Sequence, residues 1–218
     1  MADETRDAPE TLIPRLRGVL HQYAALVWLG AGLALFLVAS GAEARVAALV
    51  YCLGLTTMFG VSALYHRGNW SPTGKAWMRR ADHSGIYLAI AGTYTPIVLL
   101  TFGPLGSAIM LTVVWGVAVA GVTLNLSWRL LPGWLQYVMY IGLGWVAVFV
   151  MPQLVRTWGF AWCGLLLLGG VLYTVGAVLL AMQRPKLSPR WFGYHELWHT
   201  FTVAAAGAQF VVVLVVVT

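Results

Sequence analysis

Seven long apolar runs dominate the chain, and short segments rich in Pro, Gly or charged residues separate them. A helix that crosses a bilayer needs about 20 residues, and isolated runs of this length satisfy their backbone hydrogen bonds in lipid only as helices. The alternation of a membrane barrel is absent, since residues 211–217 are apolar on every side. The pattern therefore predicts an all-α membrane protein, a seven-transmembrane helix bundle. The predicted spans are about residues 20–40, 45–67, 82–102, 105–126, 134–151, 160–182 and 196–217.

Composition agrees with this pattern and divides the chain into two parts. Hydrophobic residues make up 60% of the sequence and charged residues only 9%, whereas a soluble domain carries roughly 25% charged residues. Residues 1–18 form a polar N-terminal tail without the apolar core of a cleavable signal peptide,, and residues 19–218 form the seven-helix domain. Cys52 and Cys163 lie inside apolar runs and are interpreted as small buried hydrophobic residues.

The basic residues predict the orientation of the bundle. With the N-terminus in the cytoplasm, eleven Lys and Arg residues fall in cytoplasmic segments and two fall outside. The excess of cationic residues on the cytoplasmic side of membrane proteins then places the C-terminus outside. The eleven are Arg6, Arg15, Arg17, Arg67, Lys75, Arg79, Arg80, Arg129, Arg184, Lys186 and Arg190, and the two are Arg45 and Arg156.

Ionisable residues of three predicted spans share one depth near the cytoplasmic face. His66 ends span two, Asp82 and His83 open span three, and His195 and His199 open span seven. Ionisable side chains within spans usually face the bundle interior and mark a functional site. We therefore expect a site at this depth. His21 is expected to be an interfacial residue of span one, and His83 to have a structural role.

The stretch His195-Glu196-Leu197-Trp198-His199 reads H-E-x-x-H, in which two imidazoles share one helix face,. His66 adds a third imidazole from another helix, and three neutral imidazoles at a tetrahedral zinc leave a fourth position for water. Ser62, one turn before His66, could hydrogen-bond that water or a substrate oxygen. Asp82 has three possible roles: to orient a ligand histidine, to hold or deprotonate metal-bound water, or to bind the metal directly.

The candidate site residues fall in three blocks of sequence. The blocks are Ser62-Ala63-Leu64-Tyr65-His66, then Arg80-Ala81-Asp82-His83-Ser84-Gly85-Ile86-Tyr87 continuing to Ala91-Gly92-Thr93-Tyr94-Thr95-Pro96, and Phe192-Gly193-Tyr194-His195-Glu196-Leu197-Trp198-His199. They resemble the signature blocks of the hemolysin III-like proteins, the bacterial branch of the progestin and adipoQ receptor family, which is similar to the adiponectin receptors.

The resemblance implies a seven-helix bundle with a zinc ion near the cytoplasmic side. Matched block to block, it implies His66, His195 and His199 as ligands, Asp82 as the holder of a zinc-bound water, and Ser62 close by. The wider superfamily contains alkaline ceramidases, so the resemblance implies hydrolysis of a lipid amide or ester, with membrane lipids as partners.

These residues are compatible with four functions. The leading one is a zinc-dependent lipid hydrolase of the bacterial plasma membrane, with a ceramide-like or other acyl lipid as substrate and no nucleic-acid partner. The second is a sensor or receptor-like protein in which zinc is structural. An intramembrane metalloprotease with Glu196 as base is weaker, because no acid after Asp82 except Glu196 itself could supply a further carboxylate ligand. A cytolysin is also weaker, because seven apolar helices with few interior charges do not describe a water-filled lumen.

Overall fold

The computed structural model describes residues 13–127, 133–188 and 190–218. The predictions for residues 1–12 of the tail and for Arg129 lie outside this part of the chain. The fold of the described residues is all-helical. Its elements are α1 Val19–Val38, α2 Gly41–Arg67, α3 Pro72–Leu99, α4 Pro104–Leu126, α5 Gly133–Trp145, a 3-10 helix Val146–Val150, α6 Met151–Trp158, α7 Phe160–Met182 and α8 Tyr194–Val217.

Within the described ranges, six helical segments are long and apolar enough to cross a membrane: α1, α2, α4, the α5–α6 run, α7 and α8. The seventh pass is α3, whose polar first half includes Lys75 and Asp82. Large apolar side chains cover the outside, such as Phe149 and Phe160, which are 86% and 84% exposed. Such a surface is unstable in water but suited to lipid. The predicted count of seven helical passes therefore fits the structure.

The third helix begins ten residues earlier than the sequence pattern predicts. It starts at Pro72 rather than near Asp82. Ser71 caps its first turn by accepting a hydrogen bond from the Gly74 amide at 3.1 Å, and proline is well suited to the first helical position. Hydropathy detects only the part of a helix that lies in lipid, so the charged first turns of α3 escaped the prediction.

The fifth pass is also longer than predicted. It continues past residue 151 to Trp158 as a candidate span of 25 residues, with a 3-10 segment between α5 and α6. The Tyr94 hydroxyl stabilises this break, because it accepts a hydrogen bond from the Ala147 amide at 2.7 Å and lies 2.9 Å from the Gly144 carbonyl oxygen. Side chains that satisfy freed backbone groups allow such irregularity at membrane depth.

The most extensive helix contacts are those of α2 with α3 and with α1. Glycines allow α2 and α3 to approach closely: a Cβ on Gly54 would lie 2.7 Å from the Leu88 carbonyl oxygen, and one on Gly92 would lie 3.2 Å from the Val50 carbonyl oxygen. Small residues at helix crossings are typical of membrane bundles. This contact fixes the register between the end of α2 and the start of α3, where the predicted site residues lie.

The segment before α1 is fastened to the loop between α7 and α8. The amides of Arg15 and Leu16 donate to the carbonyl oxygens of Arg190 and Trp191 at 3.0 and 3.2 Å. The Arg15 guanidinium also lies over the Trp191 ring. We call this side of the bundle, where α1, α3 and α8 begin and α2 and α7 end, the basic end.

Candidate metal centre

Three histidines from two helices meet at the basic end. His66 lies in the last turn of α2, and His195 and His199 lie in the first two turns of α8. One possible ligand atom from each lies within 4.8 Å of the others. The sequence prediction that these three imidazoles converge is therefore confirmed.

The geometry of the three rings suits a single small ion. The Nε2 atoms of His66 and His195 are 3.1 Å apart, and two imidazole nitrogens on one tetrahedral zinc lie about 3.3 Å apart. The ring centroids of His66 and His199 are 5.2 Å apart, and those of His195 and His199 are 4.7 Å apart. Small adjustments of these rings would bring three nitrogens onto one ion.

The donor set fits a transition metal. Neutral imidazole binds zinc, copper, nickel and iron. His199 is 2% exposed, and its Nδ1 atom has no hydrogen-bond partner in the described part of the chain. Buried ring nitrogens normally find a partner, so a ligand for this cluster would account for an otherwise unsatisfied group.

His21 was expected to be an interfacial residue, and the structure differs. It is 3% exposed, and its ring stacks on that of His199 with centroids 3.7 Å apart and planes inclined by 16°. The first turn of α1 therefore supports the plane of a candidate ligand. On its own side, Phe59 meets the His21 ring edge-on, with centroids 5.0 Å apart.

Gly18 brings the same turn against a second candidate ligand. This residue has a φ of +78°, a backbone conformation that favours glycine. A Cβ at this position would lie 2.7 Å from the His66 Cβ. Only glycine lets the chain enter α1 so close to the last turn of α2.

Glu196, the acid within the H-E-x-x-H stretch, is fully buried and has both oxygens engaged. One accepts from the Arg17 Nε, and the other accepts from the Gly193 amide at 2.7 Å. The second contact is half of a helix-capping arrangement. The Glu196 carboxylate therefore links the start of α8 to Arg17. Because both of its oxygens are already hydrogen-bonded, it is poorly placed to act as the base of a protease.

Ser62 and Asp82 lie on neighbouring helices beside the histidine cluster. The Ser62 hydroxyl lies within interaction range of the Asp82 carboxylate, and both residues line the same cavity as the histidines. His83 lines the cavity too, but it is not part of the histidine cluster. Its backbone oxygen accepts a hydrogen bond from the Tyr140 hydroxyl at 3.1 Å, and a structural role for its side chain stays a prediction.

The cavity has a volume of about 820 Å³ and runs from the basic end towards the middle of the bundle. Its wall includes His195 and Gln209, which are about 21 Å apart along α8. That length exceeds the half-thickness of a bilayer core, about 15 Å. Its deeper wall is largely apolar, with Ile90, Ile141 and Trp145. The arrangement can hold an acyl chain with one end beside the histidines.

Comparison with known proteins agrees with the three signature blocks. The family model described as haemolysin-III related matches residues 11–210. The chain belongs to the haemolysin III family. Together with the apolar helices, this membership makes it a multi-pass membrane protein.

Two bacterial relatives and one human relative illustrate the range of the family. Hemolysin-3 of Bacillus cereus is 32% identical over 176 residues, which cover 79% of this chain and 76% of the relative. The Hemolysin-3 homolog of Bacillus subtilis (strain 168) is 31% identical over 169 residues, which cover 72% of this chain and 75% of the relative. The monocyte to macrophage differentiation factor of Homo sapiens is 26% identical over 174 residues, which cover 76% of this chain and 68% of the relative.

Proposed function

We propose that this haemolysin III protein is a zinc-dependent hydrolase of lipid amides or esters. The observation that carries the proposal is the position of the histidine cluster on the wall of a cavity long enough for an acyl chain. Ligand sites are usually concave, apolar and about 300–1,000 Å³ in volume, with a few polar groups that orient the ligand. Here the polar groups are the three imidazoles, Asp82 and Ser62.

His66, His195 and His199 would hold the ion, which is proposed to be zinc. When bound, zinc polarises a carbonyl group and lowers the pKa of water to about 7. The Asp82 carboxylate would accept the proton from the attacking water and return it to the leaving amine or alcohol. The Ser62 hydroxyl would orient that carboxylate, and the apolar cavity wall would hold the acyl chain and exclude further water.

The orientation and location of the protein are part of the proposal. The cationic side chains of the basic end favour a cytoplasmic N-terminus and an external C-terminus in the bacterial plasma membrane. The lipid substrate would then approach from the inner leaflet.

The alternative is a sensor or receptor-like protein in which zinc ties α2 and α8 together without turnover. Structural zinc sites usually have four protein ligands. The cluster of candidate ligand atoms in the described ranges contains three histidines and does not include Asp82. A three-ligand site with one open position favours the hydrolase.

The test separates metal binding from turnover. Wild type purified in detergent should contain about one zinc per chain by elemental analysis and release fatty acid from ceramide or phospholipid. Replacement of His66, His195 and His199 by Ala should remove both properties.

Asp82→Asn distinguishes the two functions. It should keep the zinc and lower the rate of release by about 10²–10⁴-fold, the usual contribution of a positioned acid–base group. Full zinc retention by the triple His→Ala variant would refute the metal centre. Unchanged release by Asp82→Asn would refute the proposed mechanism.

A further inference from the structure

Three cationic side chains line the mouth of the cavity at the basic end: Arg67, Lys75 and Arg79. Arg67 is the last residue of α2, and Lys75 and Arg79 are one turn apart on α3. All three are exposed. They therefore present positive charge to whatever enters the cavity.

No carboxylate in the described part of the chain neutralises these three charges. Across the described ranges, no carboxylate forms an ion pair with any of the three; the fourth cation of the cavity wall, Arg17, is paired with Glu196. Asp82 is the one acid among the described residues that line the cavity. The described residues of the mouth thus carry an excess of positive charge.

Tyrosine hydroxyls accompany the cations. Tyr65, Tyr137 and Tyr194 line the same cavity, and Arg79 lies within electrostatic range of Tyr65 and Tyr137. Arginine, lysine and tyrosine are side chains that donate hydrogen bonds to phosphate oxygens. The mouth has the chemistry of a phosphate site.

We propose that this mouth binds the phosphate headgroup of an anionic phospholipid whose acyl chain occupies the cavity. The assignment of that lipid as a substrate rests on the proposed hydrolase function, whereas its binding does not. A neutral lipid such as ceramide or diacylglycerol would leave the cations without a partner. The shared chemistry is a phosphate group, and the apolar depth of the cavity selects a lipid phosphate over a free one.

The spacing along α3 supports this assignment. Arg79 precedes Asp82 by one turn and Lys75 precedes it by two, so their backbone positions lie about 4.5 and 10.5 Å from that of Asp82 along the helix axis. The phosphate and the acyl ester of a glycerophospholipid are joined through a three-carbon glycerol unit. A headgroup at the cations therefore leaves the ester close to Asp82 and the histidines.

Topology signals alone do not explain the position of the three cations. A cation that fixes orientation needs only to lie at the membrane surface. Arg184 and Lys186 do so at the same end and do not line the cavity. Arg184, an exposed residue just after α7, is therefore a matched control for charge at this end.

The experiment measures lipid binding to the full-length protein in mixed micelles. Occupancy is measured by the displacement of radiolabelled phosphatidylglycerol by unlabelled phosphatidylglycerol, phosphatidylcholine or diacylglycerol with identical acyl chains. Phosphatidylglycerol should bind at least about tenfold more tightly than the other two. Lys75→Gln and Arg79→Gln should each weaken that binding about fivefold, the effect of one cation near a membrane surface, and Arg184→Gln should leave it unchanged.

Several outcomes would overturn the headgroup site. These are equal binding of the three lipids, an equal loss in Arg184→Gln and Arg79→Gln, or displacement of the lipid by an equal concentration of inorganic phosphate. The last would assign the mouth to a free anion. A thermal midpoint and a metal content equal to those of wild type confirm that a variant is folded. If Arg79→Gln does not fold, Lys75→Gln provides the test.

Fatty acid release from the same samples separates this proposal from the preceding one. Tight phosphatidylglycerol binding without release of fatty acid from this lipid, from phosphatidylcholine or from ceramide would refute the hydrolase and keep the headgroup site. If phosphatidylglycerol and phosphatidylcholine bind equally well and release fatty acid at equal rates, the headgroup site is refuted and the hydrolase is kept.

Discussion

Gly18→Ala should damage the metal centre although residue 18 carries no ligand atom. The new Cβ would lie 2.7 Å from the His66 Cβ and 3.1 Å from the Arg67 Cγ, whereas carbon atoms in contact lie about 3.5–4.0 Å apart. His66 would have to retreat by about 1 Å. Alanine in the left-handed region adds about 1–2 kcal/mol of backbone strain.

The retreat of His66 should weaken metal binding more than it weakens the fold. Loss of a residue that orients a metal ligand typically lowers metal affinity about 10- to 100-fold, and we expect a loss in this range. Zinc affinity is measured by competition with a chromophoric chelator, and the free energy of unfolding by thermal denaturation of the metal-free protein.

Gly41→Ala is the matched control for backbone strain. Gly41 has a φ of +90°, but a Cβ there would meet no atom within 4 Å. Gly41→Ala should therefore carry a similar backbone strain to Gly18→Ala and keep the zinc affinity of wild type. Wild-type zinc affinity in Gly18→Ala, or an equal loss in Gly41→Ala, would refute the argument that Gly18 sets the position of His66.

Three further changes test contacts around the site and the fifth pass. His21→Ala should lower zinc affinity several-fold while His21→Phe retains it, because phenylalanine preserves a ring against His199; a zinc titration in which both behave alike would contradict this role. Glu196→Gln should lower the thermal midpoint by removing the charge that pairs with Arg17, yet keep about one zinc per chain by elemental analysis, since the residue is not a candidate ligand. Tyr94→Phe should destabilise the protein by about 1–3 kcal/mol in thermal or denaturant unfolding, because the Ala147 amide loses its acceptor; an unchanged unfolding free energy would show that another group satisfies that amide.

The spans and the three clustered histidines could be predicted because each depends on a short-range pattern. Apolar runs of bilayer length define helices, and the i, i+4 relation of His195 and His199 fixes a shared face. Positive charge then gave the relative depth of His66. The start of α3 could not be found in this way, because its first turns carry charge and depend on the Ser71 cap rather than on hydropathy.

The contribution of α1 to the site was missed for a different reason. His21, read alone, is an ordinary interfacial histidine. The buried face of α1 runs through His21, Ala24, Trp28, Gly32 and Leu35, at the spacing of one helical stripe. The exposed face of α1 is just as apolar, with Leu26, Leu29 and Leu33, so the sequence shows no stripe that marks His21 as facing the bundle. The contact of Gly18 with His66 had no sequence signal either, because it depends on how α1 and α2 approach each other.

The pairing of Arg17 with Glu196 joins the segment before α1 to α8 across 179 residues of sequence. During synthesis, Glu196 and the two histidines of α8 emerge long after Arg17 and His66. Until α8 inserts, Arg17 lacks Glu196, and His66 lacks the imidazoles of His195 and His199. Metal capture should therefore be coupled to the insertion of α8, so a ribosome-bound intermediate that lacks α8 should be unable to take up the ion.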